Sequence, residues 1–148
     1  MEIASSPVYL DTSALAKLYI SEARSDDLEA ALLGRRDLIV SDLALSELAS
    51  AIARRAREGE LGAIDATRLY QRTLRDLTTG AFRRAELTGG VHREAERLLM
   101  GLARRVALRA TDALHLALAA AEGARVLITF DRRMRAAARA LGTFDLPL

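Results

Sequence analysis

The chain contains no cysteine, and Lys17 is its only lysine. Without cysteine there is no disulfide, no thiolate metal site and no thiol nucleophile. The histidines, His92 and His115, lie far apart in sequence, so a zinc site would lean almost entirely on carboxylates. Long apolar runs are missing too. The longest, Ala113–Ala121, is interrupted by His115, whereas a membrane-spanning helix needs about 20 residues. Glu2 and the lack of a basic stretch before Val8–Leu10 argue against a secretory signal, so a cytoplasmic location is expected.

What is present is an ordinary globular composition. Of 148 residues, 51% are hydrophobic and 28% charged, which excludes disorder for most of the chain. One domain over 1–148 is expected, since domains cluster near ~100–150 residues. The 22 basic and 20 acidic residues leave a formal charge of only +2. Every cation but Lys17 is arginine, often paired, as in Arg35–Arg36, Arg54–Arg55, Arg83–Arg84, Arg104–Arg105 and Arg132–Arg133. Guanidinium forks grip phosphate bidentately, yet codon bias in a chain equally rich in alanine explains such pairs as well.

Short apolar, β-prone runs alternate with helical patterns. Val8-Tyr9-Leu10 ends in Asp11, and Thr12 or Ser13 caps a helix carrying Ala14–Tyr19. Asp26–Leu33 is a short helix, and Leu38-Ile39-Val40 a second strand. Leu43–Glu58 and about Ile64–Leu77 follow as helices, with a third strand within Ala81–Leu87 resting on Phe82. Gly89-Gly90 breaks the chain before an amphipathic helix over Val91–Val106, whose apolar side includes Ala95, Leu98, Leu99, Leu102 and Ala103. Thr111 caps Asp112–Glu122, Arg125–Thr129 is the clearest strand, Arg132–Leu141 the last helix, and Thr143–Leu146 a terminal strand. The alternation predicts an α/β three-layer domain, a parallel sheet covered by helices on both faces.

Four acids stand in unusual places. Asp11 follows the first strand and Asp131 the last strong one, where open α/β sheets bind ligands if the strands are neighbours. Each would serve equally well as the cap of the helix after it. Glu47 shares a helix face with Ala44, Leu48, Ala51 and Ile52, so it needs a partner charge, a metal or a raised pKa. A salt bridge to an arginine would suffice. Asp112 opens a helix that is apolar nearly all round, one turn from His115, and could simply complement the helix dipole. If all four carboxylates converge, they repel, and a hard dication held by oxygen ligands resolves the conflict. Such a site, with arginines near, suits phosphodiester hydrolysis.

Four stretches carry a resemblance. They are Val8–Leu15 (VYLDTSAL), Ser41–Leu48 (SDLALSEL), Ala110–Ala117 (ATDALHLA) and Leu127–Met134 (LITFDRRM). In their order and spacing they resemble PIN-domain ribonucleases of the VapC type, the toxin half of bacterial toxin–antitoxin pairs. The resemblance implies Asp11, Glu47, Asp112 and Asp131 as the quartet holding Mg²⁺ or Mn²⁺, with Asp11 and Asp112 the firmest ligands. Ser13 and Thr129 would hold carboxylates in place, and His115 would pack behind the site rather than act as general base. Thr12 would begin its helix, and His92 would be incidental. A five-stranded sheet of order 3-2-1-4-5 is implied, as are an RNA substrate, homodimers and a small VapB-like antitoxin.

Two other classes compete. A phosphatase or phospho-acceptor on a similar sheet lacks its key group, because Ser13 stands where a second aspartate is needed and Lys17 lies a turn into a helix. A non-catalytic PIN scaffold that binds RNA or protein is opposed by the intact quartet.

Overall fold

In the computed structural model, which describes residues 6–102 and 104–148, three strands of three residues and one of four make a wholly parallel sheet. The elements run β1 (Val8–Leu10), α1 (Thr12–Tyr19), α2 (Ser25–Leu32), β2 (Leu38–Ser41), α3 (Asp42–Arg57), α4 (Ala63–Thr78), β3 (Arg83–Ala85), α5 (Gly89–Leu102), α6 (Ala110–Ala121), β4 (Val126–Ile128) and α7 (Arg132–Leu141). The strand order is β3-β2-β1-β4. Val8 stands level with Leu38 on one side and Val126 on the other, so these three strands begin together and β2 runs one residue further.

β1, β2 and β4 bury both faces, which is why they read as nearly continuous apolar runs rather than as alternation, whereas the edge strand β3 exposes Arg83 and Arg84. Val8, Leu10, Val40 and Ile128 pack with Leu15, Leu28, Leu45 and Leu48 from α1, α2 and α3. Tyr9, Ile39 and Leu127 point the other way, onto Leu98, Leu116, Leu118 and Met134 from α5, α6 and α7. Burying one such leucine contributes about 1.5–3 kcal/mol. The expected three-layer α/β architecture is therefore present.

Several local expectations need correction. The terminal strand over Thr143–Leu146 shrinks to one bridge, Val126 with Asp145, held by Leu127 N–H to Asp145 O (3.0 Å) and Asp145 N–H to Arg125 O (2.8 Å). It extends the order beyond β4 without making a fifth strand. Gly89-Gly90 does not break the chain but forms the first turn of α5, where Thr88 Oγ1 accepts from Val91 N–H (3.2 Å) and caps the start. That helix stops at Leu102 rather than Val106, and Ala103, expected on its apolar side, lies outside the described residues. Asp11, not Thr12 or Ser13, caps α1, and α6 starts two residues early, so Arg109 takes the capping position expected of Thr111. No helix among the described residues is long and apolar enough to cross a membrane.

Candidate active site at the carboxyl ends of the strands

Asp11 leaves β1 and enters α1 with extended backbone, and its carboxylate turns back onto the helix start. Oδ1 accepts from Ser13 Oγ (2.6 Å) and Ala14 N–H (3.0 Å), and Oδ2 from Thr129 Oγ1 (2.5 Å). Only 3% of the residue is exposed. Burial pushes its pKa up, against the pull of those hydrogen bonds. Among the described residues no arginine or lysine bonds to it; its partners are neutral hydroxyls and one amide.

Asp131 caps α7, with Oδ1 accepting from Arg133 N–H (2.8 Å) and Met134 N–H (3.1 Å). It meets Asp11 through Thr129, whose hydroxyl donates to Asp11 and accepts from Asp131 N–H (3.1 Å). Ser13 ties the same loops from the other side, donating to Asp11 and accepting from Phe130 N–H (2.8 Å). The neighbouring of β1 and β4 brings these groups together. Both acids cap the helix that follows, and both are tied to the Thr129 hydroxyl at the ends of neighbouring strands, so the two readings of their positions are compatible.

Asp112 sits in the first turn of α6 and is 2% exposed. Its Oδ2 accepts from Arg109 N–H (3.0 Å) and Arg109 Nε (3.2 Å), its Oδ1 from Arg109 Nη2 (3.0 Å). The same Nη2 reaches Asp131 Oδ2 at 3.2 Å. One guanidinium thus joins two carboxylates drawn from separate helices. Sequence reasoning passed over Arg109; its place three residues before Asp112, at the helix start, was the available signal.

Glu47 lies on α3 beside buried Ala44 and Leu48, with about a third of its own side chain exposed. Its partner is a histidine, not an arginine. Oε1 accepts from Thr12 Oγ1 (2.8 Å) and lies 2.6 Å from His115 Nε2. Partial burial works to raise the pKa of Glu47, but the bonds from His115 and Thr12 and the charge of Arg109 outweigh it and hold the carboxyl below its usual range. Behind the ring, Tyr9 Oη is 2.7 Å from His115 Nδ1 and 2.9 Å from Ser41 Oγ. Tyr9 is fully buried, which pushes its phenol pKa far up and keeps it protonated. An ionised Glu47 calls for a proton on Nε2, while the Tyr9 hydroxyl donates to Ser41 Oγ and its oxygen stays within hydrogen-bond reach of Nδ1. Thr12, expected only to begin a helix, also fixes this carboxylate, and Tyr9 is a participant that no local pattern singles out.

The donors are hard oxygens, the chemistry that Mg²⁺ or Mn²⁺ takes. A cation already bridges Asp112 and Asp131, and this marks their gap as a place where positive charge is accommodated. Among the described residues no three acids or histidines stand together as a ready metal cage. The guanidinium lies where two of them would have to share an ion. A cavity of about 900 Å³ lies elsewhere, between the end of α1 and α4, lined by Arg55, Arg68, Arg72 and Arg75. The carboxylates lie outside it. Several arginines of the sequence pairs are engaged within the chain: Arg35 with Asp37, Arg55 with Glu22, Arg83 with Glu122 and Arg84 with Asp42.

The PIN domain family matches residues 8–140, nearly the whole chain. This protein belongs to the PIN-domain family. Among its relatives, ribonuclease VapC46 of Mycobacterium tuberculosis is 35% identical over 143 residues, 91% of this chain and 92% of that protein. Two solved structures share the PIN fold. VapC20 of M. tuberculosis, described as a sarcin-ricin loop cleaving toxin, superposes with a TM-score of 0.69 at 22% identity, over 88% of this chain and 94% of that one. FitAcB of Neisseria gonorrhoeae gives 0.73 at 17% identity, over 94% and 95%.

Proposed function

We propose that this PIN-domain protein is a VapC-type endoribonuclease, dependent on Mg²⁺ or Mn²⁺, that hydrolyses phosphodiester bonds in RNA. The observation that carries the reading is the meeting of Asp11, Asp131 and Asp112 at the ends of β1 and β4, linked through Thr129 and Arg109. The 35% identity to a ribonuclease over nine-tenths of both chains supports it.

Asp11 and Asp112 are the principal ligands in this reading, with Asp131 and Glu47 completing the site directly or through water. The bound dication would supply a water of lowered pKa and neutralise charge on the phosphate. Ser13 and Thr129 keep both oxygens of Asp11 in one orientation, so the carboxylate loses little freedom when it binds. His115 and Thr12 do the same for Glu47 Oε1 and leave Oε2 to orient water. His115 holds a carboxylate rather than abstracting a proton. A VapB-like antitoxin and a second copy of this chain are the expected partners, and the cytoplasm the expected location.

The test is cleavage of labelled RNA by purified protein with Mg²⁺ or Mn²⁺. Chelator and Asp112→Asn are each expected to abolish it. Undiminished cleavage by Asp112→Asn, in a preparation free of other nucleases, would overturn the reading. One observation favours a second reading, a PIN scaffold that binds RNA or protein without cutting it: Asp112 and Asp131 already have a counter-ion in Arg109. Tight RNA binding with no cleavage across several divalent ions would favour that alternative.

A further inference from the structure

We infer that Arg109 is a resident counter-ion of the site: its guanidinium holds the position between Asp112 and Asp131 in the metal-free protein, and a divalent ion binds there only by displacing it. This rests on the metal-dependent reading above. Three features of the chain carry it. First, Arg109 Nη2 lies 3.0 Å from Asp112 Oδ1 and 3.2 Å from Asp131 Oδ2, so two acids from different helices converge on one nitrogen. Two carboxylates that share so small a space repel unless a cation stands between them. Second, Asp112 is almost completely buried and takes a two-pronged grip from the fork plus one backbone N–H. That is the strong geometry of a guanidinium–carboxylate pair, and it uses oxygens that a metal would need. Third, the guanidinium is not locked in. Arg109 precedes the first turn of α6 and about half of its side chain is exposed, so the fork can turn out to water without opening a hole in the core.

Arg109 and the dication therefore compete for the same oxygens. The arginine cancels one of the two negative charges of Asp112 and Asp131 when no ion is present and weakens the ion's apparent affinity by the stability of the pair it must break. Its role is to position Asp112 and Asp131 and to tune ion occupancy, which a purely structural ion pair would not do.

The experiment measures Mn²⁺ binding by calorimetry or by the electron paramagnetic resonance signal of free Mn²⁺, together with melting temperatures with and without Mn²⁺. Wild type, Arg109→Gln, Arg109→Lys, Asp112→Asn and Arg132→Gln are compared at one ionic strength. Arg109→Gln is expected to bind Mn²⁺ about tenfold more tightly than wild type, the order of one strong charged hydrogen-bonded pair. It should melt lower than wild type without metal and gain more from Mn²⁺. Arg109→Lys keeps the charge but loses the fork, so it should fall between the two and stands in if the glutamine variant does not fold. Arg132→Gln removes a neighbouring exposed charge that, among the described residues, bonds to neither acid, and should tighten binding much less.

Equal or weaker Mn²⁺ binding by Arg109→Gln and Arg109→Lys, while wild type binds the ion and cleaves RNA, overturns the inference and leaves the ribonuclease reading standing. Equal tightening by Arg132→Gln also overturns it, since bulk charge would then be the cause. Mn²⁺ binding that is absent from wild type, Arg109→Gln and Arg109→Lys alike overturns both.

Discussion

The two sides of the crevice hold their acids in opposite ways. On the β1 side Asp11 is enclosed by Ser13, Thr129 and an amide, all neutral, and burial raises its pKa. On the α6 side Asp112 is as deeply buried but receives a full positive charge from Arg109, which it shares with Asp131. The same residue type at the same depth is thus left in want of a cation in one place and supplied with one in the other. Burial alone does not say what a carboxylate costs the fold; its partners do.

The most severe way to break this contrast is to neutralise Asp11. Asp11→Asn is expected to lower RNA cleavage by about a hundredfold or more, beyond the ~10–100-fold typical of groups that only orient ligands. Stability should move the opposite way. A raised folded pKa means the fold holds the Asp11 proton more tightly than the unfolded chain. That contribution is present below the ordinary carboxylate range and is lost as pH rises through the folded value. At neutral pH the ionised group opposes folding, so the metal-free Asn variant should melt higher. Calorimetry without metal checks the sign. Asp112→Asn should instead melt lower, because it strands the Arg109 fork.

Thr129→Val removes the hydroxyl that joins Asp11 to the Asp131 amide, and should cost about 10–100-fold in cleavage or Mn²⁺ affinity. Tyr9→Phe is milder. It leaves His115 Nδ1 and Ser41 without a phenol, and is expected to reduce kcat several-fold with KM nearly unchanged, since only the aim of Glu47 is loosened. The smallest effect is on acid stability. Glu47 has a lowered folded pKa, so its contribution is present above the ordinary glutamate value and fades as pH falls through the folded one. Glu47→Gln should flatten that acid limb of the stability curve, as read from melting temperature against pH.

Most of the frame was readable because its signals are local. Asp11, Glu47, Asp112 and Asp131 announced themselves as acids next to apolar runs or within them, and the β-branched runs at 8–10, 38–40 and 126–128 gave the parallel sheet. The cap of α1 was misplaced by a single residue because Asp11, Thr12 and Ser13 all suit the position, and only the extended backbone at Asp11 decides among them. Gly89-Gly90 looked like a stop, but glycine is tolerated in a first turn whose donors are met by Thr88. Arg109 and Tyr9 escaped notice for a different reason. One is an arginine among many and the other an aromatic in a strand, and what sets them apart is a contact with a residue far off in sequence. Tyr9 and His115 are separated by 106 positions, and no periodicity reports that.

The level registration of Val8, Leu38 and Val126 has a practical consequence. One residue added inside β4 would turn its inward side chains outward and carry Thr129 and Asp131 about 3.3 Å past Asp11. Residues added to the connections at the other end of the sheet would leave that spacing alone. Natural length variation in chains that keep this chemistry should therefore accumulate at the amino ends of the strands and spare the short hop from Ile128 to Asp131.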